Sequence, residues 1–454
     1  MNGPLRRGLA AASLLLATGL WLSGLFASAA QGSVWVLDID GAIGPATSDF
    51  IVRGVDDARN AGATLIVIRI DTPGGLDASM REIISAILAS DVPVASWVAP
   101  RGARAASAGT YILYASHVAA MAEATNLGAA TPVQLTGGGT PGPLSPTDQS
   151  EPSSATAMEK KMVNDAAAYI RGLADLRGRN AEWAETAVRE GASLSAGEAV
   201  EQNVVDLLAG SLEELLALVD GKTIKIGDAE VTLETAGATT HTVEPDWRTE
   251  LLAFLTNPNV VLVLGLFGVY GILLEFYNPG SLVPGVVGII CLILAGYALQ
   301  LLPVNYAGLA LMLVGIAMMV GEAFAPSFGA LGVGGIVAFT IGGIMLFDTD
   351  IPAFQVGLPM LAAIGVVLAL LIFATITLAL RIRKQQVTTG IERMVGQHGE
   401  ALTDIGRNGQ VRIGGEIWRA VATTDIDEGS MIRVTGVDGM TLSVESIQHE
   451  NQGT

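Results

Sequence analysis

Cysteine and histidine are scarce in this chain. One cysteine, Cys291, and four histidines, His117, His241, His398 and His449, occur in 454 residues. A single cysteine excludes an intrachain disulfide and a cysteine-based metal site. Histidines this scattered argue against a histidine-rich metal site, and no cofactor motif is present. Basic residues are also short, with 25 Lys and Arg against 44 Asp and Glu and a formal charge of −19. Gripping a nucleic-acid backbone needs clustered positive charge, so nucleic acid is not the expected partner. Charge of either sign is low at 15%, whereas 50% of the residues are hydrophobic. That balance suits a membrane protein with water-exposed parts, and the length exceeds one ordinary domain.

The apolar residues fall into distinct patterns. Arg6 and Arg7 precede an apolar run at 9–26, and Ala27-Ser28-Ala29 comes directly after it. The pattern predicts a secretory signal peptide over 1–30; an uncleaved anchor is the alternative, and either one exports the chain from Gln31 onward. Residues 34–39, 64–70, 92–98 and 117–121 read as strands, and 48–60 and 76–89 as helices between them. Strands alternating with helices predict an α/β domain with a largely parallel sheet. Residues 131–156 are rich in Gly, Pro, Ser and Thr, as in a lid or a tolerated insertion. A helix is expected at 158–176, with Met158, Met162, Ala166, Tyr169 and Leu173 as its apolar stripe. That phase sets Lys161 closer to the stripe than Lys160.

Residues 222–256 read as a connecting segment, with an interfacial Trp247. Five apolar segments over 257–384 then approach the length a bilayer requires, predicting an all-α transmembrane domain. None carries a central charged residue, so a simple lipid-facing bundle is expected and not a transport path. Arg381, Arg383 and Lys384 close the last span. With an exported N-terminal domain and five spans, they fall on the cytoplasmic side. Residues 385–454 hold short glycine-punctuated strands, predicting a small all-β barrel.

Chemistry concentrates at residues 102–111, Gly-Ala-Arg-Ala-Ala-Ser-Ala-Gly-Thr-Tyr. One serine, Ser107, stands among alanines and glycines at a strand-to-helix junction. The plain reading is a helix cap. The functional one is a nucleophile whose oxyanion meets free N–H groups at the helix start, including that of Ala108. Asp71-Thr72-Pro73-Gly74-Gly75, just after a buried strand, offers further N–H groups from Gly74 and Gly75. A serine needs a base. His117 lies ten residues on, about 15 Å along a straight helix and out of reach. Arg104 and Asp71 read as structural.

These motifs, with Glu159-Lys160-Lys161-Met162-Val163-Asn164 and Gly178-Arg179-Asn180, resemble the NfeD family of membrane-bound serine peptidases. That family is related more distantly to signal peptide peptidase A and the ClpP-like peptidases. The resemblance covers nearly the whole chain. It implies a ClpP/crotonase-like spiral domain over 31–221, a Ser–Lys dyad of Ser107 and Lys161, and an OB-like barrel at the C-terminus. It also implies a multi-pass protein of a bacterial inner membrane that forms homo-oligomers and needs no metal or cofactor. Hydrophobic peptide segments would be its substrates and stomatin- or prohibitin-like membrane proteins its partners. A non-enzymatic scaffold for the same partners is the competing class.

An OB-like barrel can bind oligonucleotides, but residues 391–454 hold five basic against ten acidic residues. The isolated barrel should therefore leave the anisotropy of labelled single-stranded DNA and RNA unchanged. Salt-sensitive binding in the micromolar range would contradict this.

Overall fold

The computed structural model describes residues 32–132, 154–384 apart from 326, 328, 348 and 350, and 391–447. The expected signal peptide and most of the 131–156 segment lie outside them.

The N-terminal domain runs β1 (Ser33–Asp40), α1 (Pro45–Asn60), β2 (Leu65–Asp71), α2 (Asp77–Ala89), β3 (Val94–Val98), β4 (Arg104–Ala106), α3 (Ala108–Ala115), β5 (Val118–Met121) and β6 (Asn126–Gly128). It continues through α4 (Ser154–Arg177), α5 (Ala181–Arg189), β7 (Ser193–Ser195), α6 (Ala196–Glu201), β8 (Leu207–Leu208) and α7 (Leu212–Val219). A hairpin of β9 (Thr223–Ile226) and β10 (Ala229–Thr232), the strand β11 (Thr239–Thr242) and helix α8 (Trp247–Leu255) complete it. Six strands form one parallel sheet in the order β11-β1-β2-β3-β5-β8. A second sheet orders β4-β6-β7.

Strand β2 shows why the sheet is covered on both faces. Ile66, Ile68 and Ile70 enter one apolar core with Phe50, Ile83 and Ile112 from the three first helices. Leu65 and Val67, pointing the other way, enter a second core with Leu215, Leu216 and Val219 of α7. Helix α1 approaches the sheet closely because residue 54 is glycine; a Cβ there would lie 2.5 Å from a Leu37 methyl. The segment at 222–256 is more than a connection, because β11 pairs with β1 in register Trp35↔His241, and those two rings stack at 4.7 Å.

Helix α4 buries a different stripe from the one its methionines suggest. Ala166, Ala167, Ile170, Leu173 and Ala174 are buried, whereas Met158 is 57% exposed. The N-terminal turns of α4 extend past the point where it meets the core.

Arg179, just after α4, has a fully enclosed guanidinium. It bonds both carboxylate oxygens of Asp206 and donates to the carbonyls of Leu113, Tyr114 and Ser116. Arg177 adds a bond to the Ala115 carbonyl at 2.8 Å. Two cations therefore cap the C-terminal end of α3, where helix carbonyls lack intrahelical donors.

Five apolar helices come next: α9 (Pro258–Tyr277), α10 (Val283–Leu301), α11 (Tyr306–Phe324), α12 (Ala330–Met345) and α13 (Leu358–Lys384). Among the described residues three helices, in α9, α10 and α13, are long and apolar enough to cross a membrane; α11 and α12 are apolar but shorter by that measure. Glycines let α9 and α10 touch along their backbones, with a Cβ on Gly271 reaching 2.5 Å from the Pro284 carbonyl. Glu322, near the end of α11, is buried, and its carboxylate accepts N–H bonds from Leu331 and Gly332 at the start of α12. The C-terminal barrel is closed, in the order β12 (His398–Ala401), β13 (Gly409–Ile413), β14 (Glu416–Ala422), β16 (Thr441–Ser446) and β15 (Met431–Asp438). Val411, Ile413, Ala420, Ile432, Val434 and Leu442 fill it.

Replacing Arg179 by methionine would take that donor from three carbonyls and from Asp206, which keeps the Ala119 N–H. Breaking one side of a buried ion pair costs about 3–5 kcal/mol. A thermal melt of Arg179→Met should show a midpoint lowered by several degrees, and an unchanged midpoint would refute this role.

Candidate active site

The loop after β2 is stitched to the strand that leads into Ser107. Thr72 donates its N–H to the Arg104 carbonyl at 2.7 Å, and Ala106 donates to the Thr72 carbonyl at 3.1 Å. The Asp71 carboxylate accepts the Arg104 N–H. Inside the loop the buried Thr72 hydroxyl bonds both the N–H and the carbonyl of Gly74, at 3.0 Å each.

This bracing sets Gly74 directly against the serine. Gly74 has φ +119°, and a Cβ there would lie 2.8 Å from the Ser107 Cβ. A Cβ on Gly75 would lie 2.1 Å from the Ile43 carbonyl oxygen. Glycine is therefore required at both positions, by close approach at each and by φ at Gly74.

Ser107 itself has φ 50° and ψ −114°. A positive φ on a residue with a Cβ costs on the order of 1–3 kcal/mol and persists only where neighbours hold it. Here its N–H bonds the Gly128 carbonyl at 2.9 Å, and Thr110 bonds both Gly128 and the Ala105 carbonyl. The residue stands at the N-terminus of α3, yet its side chain makes no capping bond. Ser107 is half-buried, and among the described residues its hydroxyl has no hydrogen-bond partner. The capping reading thus lacks its bond, and the hydroxyl is left for another use.

Three N–H groups are candidates for an oxyanion. Among the described residues those of Gly75 and Ala108 have no acceptor. That of Gly74 donates to Thr72 and is already committed. Its contribution is therefore space beside the serine rather than a donor.

Lys161 and Lys160 are both exposed, although the methionine stripe sets Lys161 the closer of the two to the apolar side. The reason is the phase of α4: its buried stripe lies on the side opposite Lys161. No hydrogen bond joins Lys161 to Ser107. The edge of α4 that bears Lys161 is nevertheless tied to α2 and α3. Asp165, one turn on, pairs with Arg81 of α2 at 3.0 Å, and Arg81 also pairs with Asp77 at 2.8 Å. Arg81 lies over the Tyr169 ring at 4.5 Å, and Tyr169 stacks on Tyr111 of α3 at 6.2 Å. Helix α2 begins two residues after Gly75. So the Lys161–Asp165–Tyr169 edge is tied to the helices that come after both candidate loops.

His117 is not brought to the site. Its Nδ1 accepts the Val94 N–H at 3.2 Å, at the opposite end of β3 from the loops. Burial, with Arg177 and Arg179 nearby, pushes its pKa down to about 3. Sequence reasoning missed Thr72 and Arg81. A threonine two residues before a glycine is a turn signal, and Asp77 with Arg81 has ion-pair spacing on a helix.

An α/β domain with a braced serine, a set of membrane helices and a closed five-stranded barrel form the NfeD-type domain arrangement. The pattern described as "NfeD1b, N-terminal domain" matches residues 33–235, "NfeD integral membrane domain" matches 259–378, and "NfeD-like C-terminal, partner-binding domain" matches 391–445. The chain belongs to the NfeD family. It is 33% identical to the membrane-bound protease PH1510 of Pyrococcus horikoshii over 425 residues, covering 91% of this chain and 93% of that one. It is 30% identical to the membrane protein NfeD1b of Bacillus subtilis, covering 69% of this chain and 68% of that one. Among solved structures it is similar to the 1510-N membrane protease specific for a stomatin homolog from Pyrococcus horikoshii, with 32% identity, 50% of this chain and 100% of that one covered, and a TM-score of 0.41.

The histidine yields a test by pH. Its folded pKa of about 3 lies below the ordinary value of 6.5, so between these limits the unfolded chain binds the extra proton. The stability it contributes is complete above 6.5 and drains away as pH falls toward 3. In His117→Gln the loss of melting temperature between pH 7 and 4 should be smaller than in the parent. An equal loss would show that the buried imidazole is not responsible.

Proposed function

We propose that this chain is a membrane-anchored serine endopeptidase that cuts hydrophobic segments of membrane proteins, with a stomatin-like protein as partner. The observation that carries the reading is Ser107 itself. Among the described residues its hydroxyl is uncommitted, on a strained backbone held against Gly74, and two N–H groups without acceptors there belong to the same pair of loops. Kinship with a membrane-bound protease over nine-tenths of the chain supports it.

In the proposed mechanism Ser107 Oγ attacks the scissile carbonyl carbon while its proton passes to neutral Lys161 Nζ. The carbonyl oxygen becomes an oxyanion that takes the N–H groups of Gly75 and Ala108. The C–N bond then breaks, the leaving amine receives the proton from Lys161, and an acyl-serine ester remains. Water then attacks the ester carbon while losing a proton to Lys161, and as the acyl C–O bond breaks Lys161 returns that proton to Ser107 Oγ, which frees the serine and leaves the amine neutral. An apolar peptide laid along the Lys161–Asp165 edge would exclude water from the site. Substrate hydrophobicity would then serve catalysis as well as binding. We further assign the N-terminal domain to the ClpP/crotonase-like spiral and the barrel to the OB-like class. The N-terminal domain would face the outside, the barrel the cytoplasm, and the working form would be a homo-oligomer.

Activity on a hydrophobic peptide should be lost in Ser107→Ala, with the fold retained. Lys161→Ala and Lys161→Arg should be equally inactive, since a guanidinium stays protonated, whereas Lys160→Ala should keep most of the rate. Parental turnover in Ser107→Ala would leave the scaffold reading in its place. Loss of activity in Lys160→Ala, with Lys161→Ala active, would move the base to Lys160.

A further inference from the structure

We infer that Phe354, on the connection between the last two membrane helices, is a positioning residue for the oxyanion site. It would act through Gly44 and Ile43, so that the membrane helices help to build the catalytic centre. This rests on the peptidase reading above and extends it to residues far from either loop in sequence.

A trans peptide is planar, and its carbonyl and N–H point in opposite directions. The Gly75 N–H shares its peptide unit with the Gly74 carbonyl. That carbonyl accepts the Ile43 N–H at 2.9 Å, and the Ile43 carbonyl accepts the Leu76 N–H at 2.8 Å. Ile43 thus bonds on both sides of Gly75, and the first of these bonds turns the Gly75 N–H away from Ile43. Gly75 is packed so tightly on Ile43 that no Cβ fits between them. Wherever the Ile43 backbone sits, the donor direction of Gly75 is set with it.

Ile43 is in turn held from the membrane side. Gly44 lies against the ring of Phe354; a Cβ on Gly44 would reach 2.8 Å from Cζ and 3.1 Å from Cε1. Phe354 is buried in an apolar cluster with Leu302, Leu346 and Phe347 from the membrane-helix connections. Leu76, the residue after Gly75, is buried in that same cluster, and Ala42 packs on it. Both strands of the Ile43–Gly75 contact are therefore anchored in the apolar cluster of the membrane domain. The N-terminal domain's own core holds the other side, through the fully buried Ile43 side chain.

Gly44 offers a clean perturbation. Its backbone, at φ −128° and ψ −170°, is an extended conformation that any residue adopts. Gly44→Ala therefore adds a methyl whose near contact is the Phe354 ring. The full chain in lipid nanodiscs would be assayed on a fluorogenic hydrophobic peptide. In Gly44→Ala kcat should fall about tenfold or more, because a misdirected oxyanion donor loses transition-state stabilisation, while KM changes less than about twofold. Adding Phe354→Leu, which removes the ring atoms that the methyl meets, should restore most of kcat. A general loss of packing would not be repaired by a second truncation. Parental kcat in Gly44→Ala, or a fall that Phe354→Leu leaves unrepaired, would overturn the inference. If Gly44→Ala fails to fold, Phe354→Ala, which leaves Gly44 without its support, decides: a fall in kcat at constant KM supports it, and parental kcat overturns it. Ser107→Ala, assayed alongside, separates the two levels: if it matches the parent, the peptidase reading fails, whereas an inactive Ser107→Ala beside a fully active Gly44→Ala removes only the role of Phe354.

Discussion

The site depends on the contact between Gly74 and Ser107. Residue 74 has room for hydrogen alone, since a Cβ would overlap the Ser107 Cβ at 2.8 Å. Two loops from different strands must therefore meet within van der Waals range. Thr72 makes this possible by bonding outward to Arg104 and Ala106 and inward to Gly74. The small residues of the Ser107 stretch are then a steric consequence. Gly109, for example, lies where a Cβ would meet a Thr72 methyl at 2.6 Å.

Helix α3 carries the serine at one end and a cluster of cations at the other. Arg177 and Arg179 satisfy its last carbonyls, while the N–H of Ala108 at its start stays without an acceptor among the described residues. The asymmetry arises from the backbone dipole, which favours positive charge at a C-terminus and negative charge at an N-terminus. A helix pinned at its C-terminal end presents its N-terminal donors in a fixed place, as preorganised stabilisation of a developing anion requires.

Much of this is legible in sequence. The uninterrupted apolar run of β2 marks a strand buried on both faces, and Ser107 stands out as the one serine, flanked by alanines and a glycine. Other features have no local signature. Strand β11 reads Thr-Thr-His-Thr and is exposed along its length, so neither hydrophobicity nor alternation marks it; only pairing with β1 defines it. The phase of α4 is misleading in sequence because Met158 is apolar yet exposed, in a turn before Val163 packs on the core. Phe354 lies in a short helical turn between membrane helices, where an aromatic residue suggests a membrane boundary, and its place beside Gly44 comes from tertiary structure alone.

The pairing of β1 with β11 also orders events in time. Strand β1 is the first element of the described chain, and one of its two partners is made about two hundred residues later, just before the first membrane helix. Contacts so distant in sequence form slowly, because a long stretch of chain must be ordered first. As the chain is made from its N-terminus, the domain can close its sheet only when the first apolar helix is about to emerge. Until then one edge of β1 offers unpaired N–H and C=O groups to any neighbouring strand, a known route to aggregation. Completion of the sheet is thus coupled by chain order to membrane insertion, and a chain cut before residue 239 would keep that edge open.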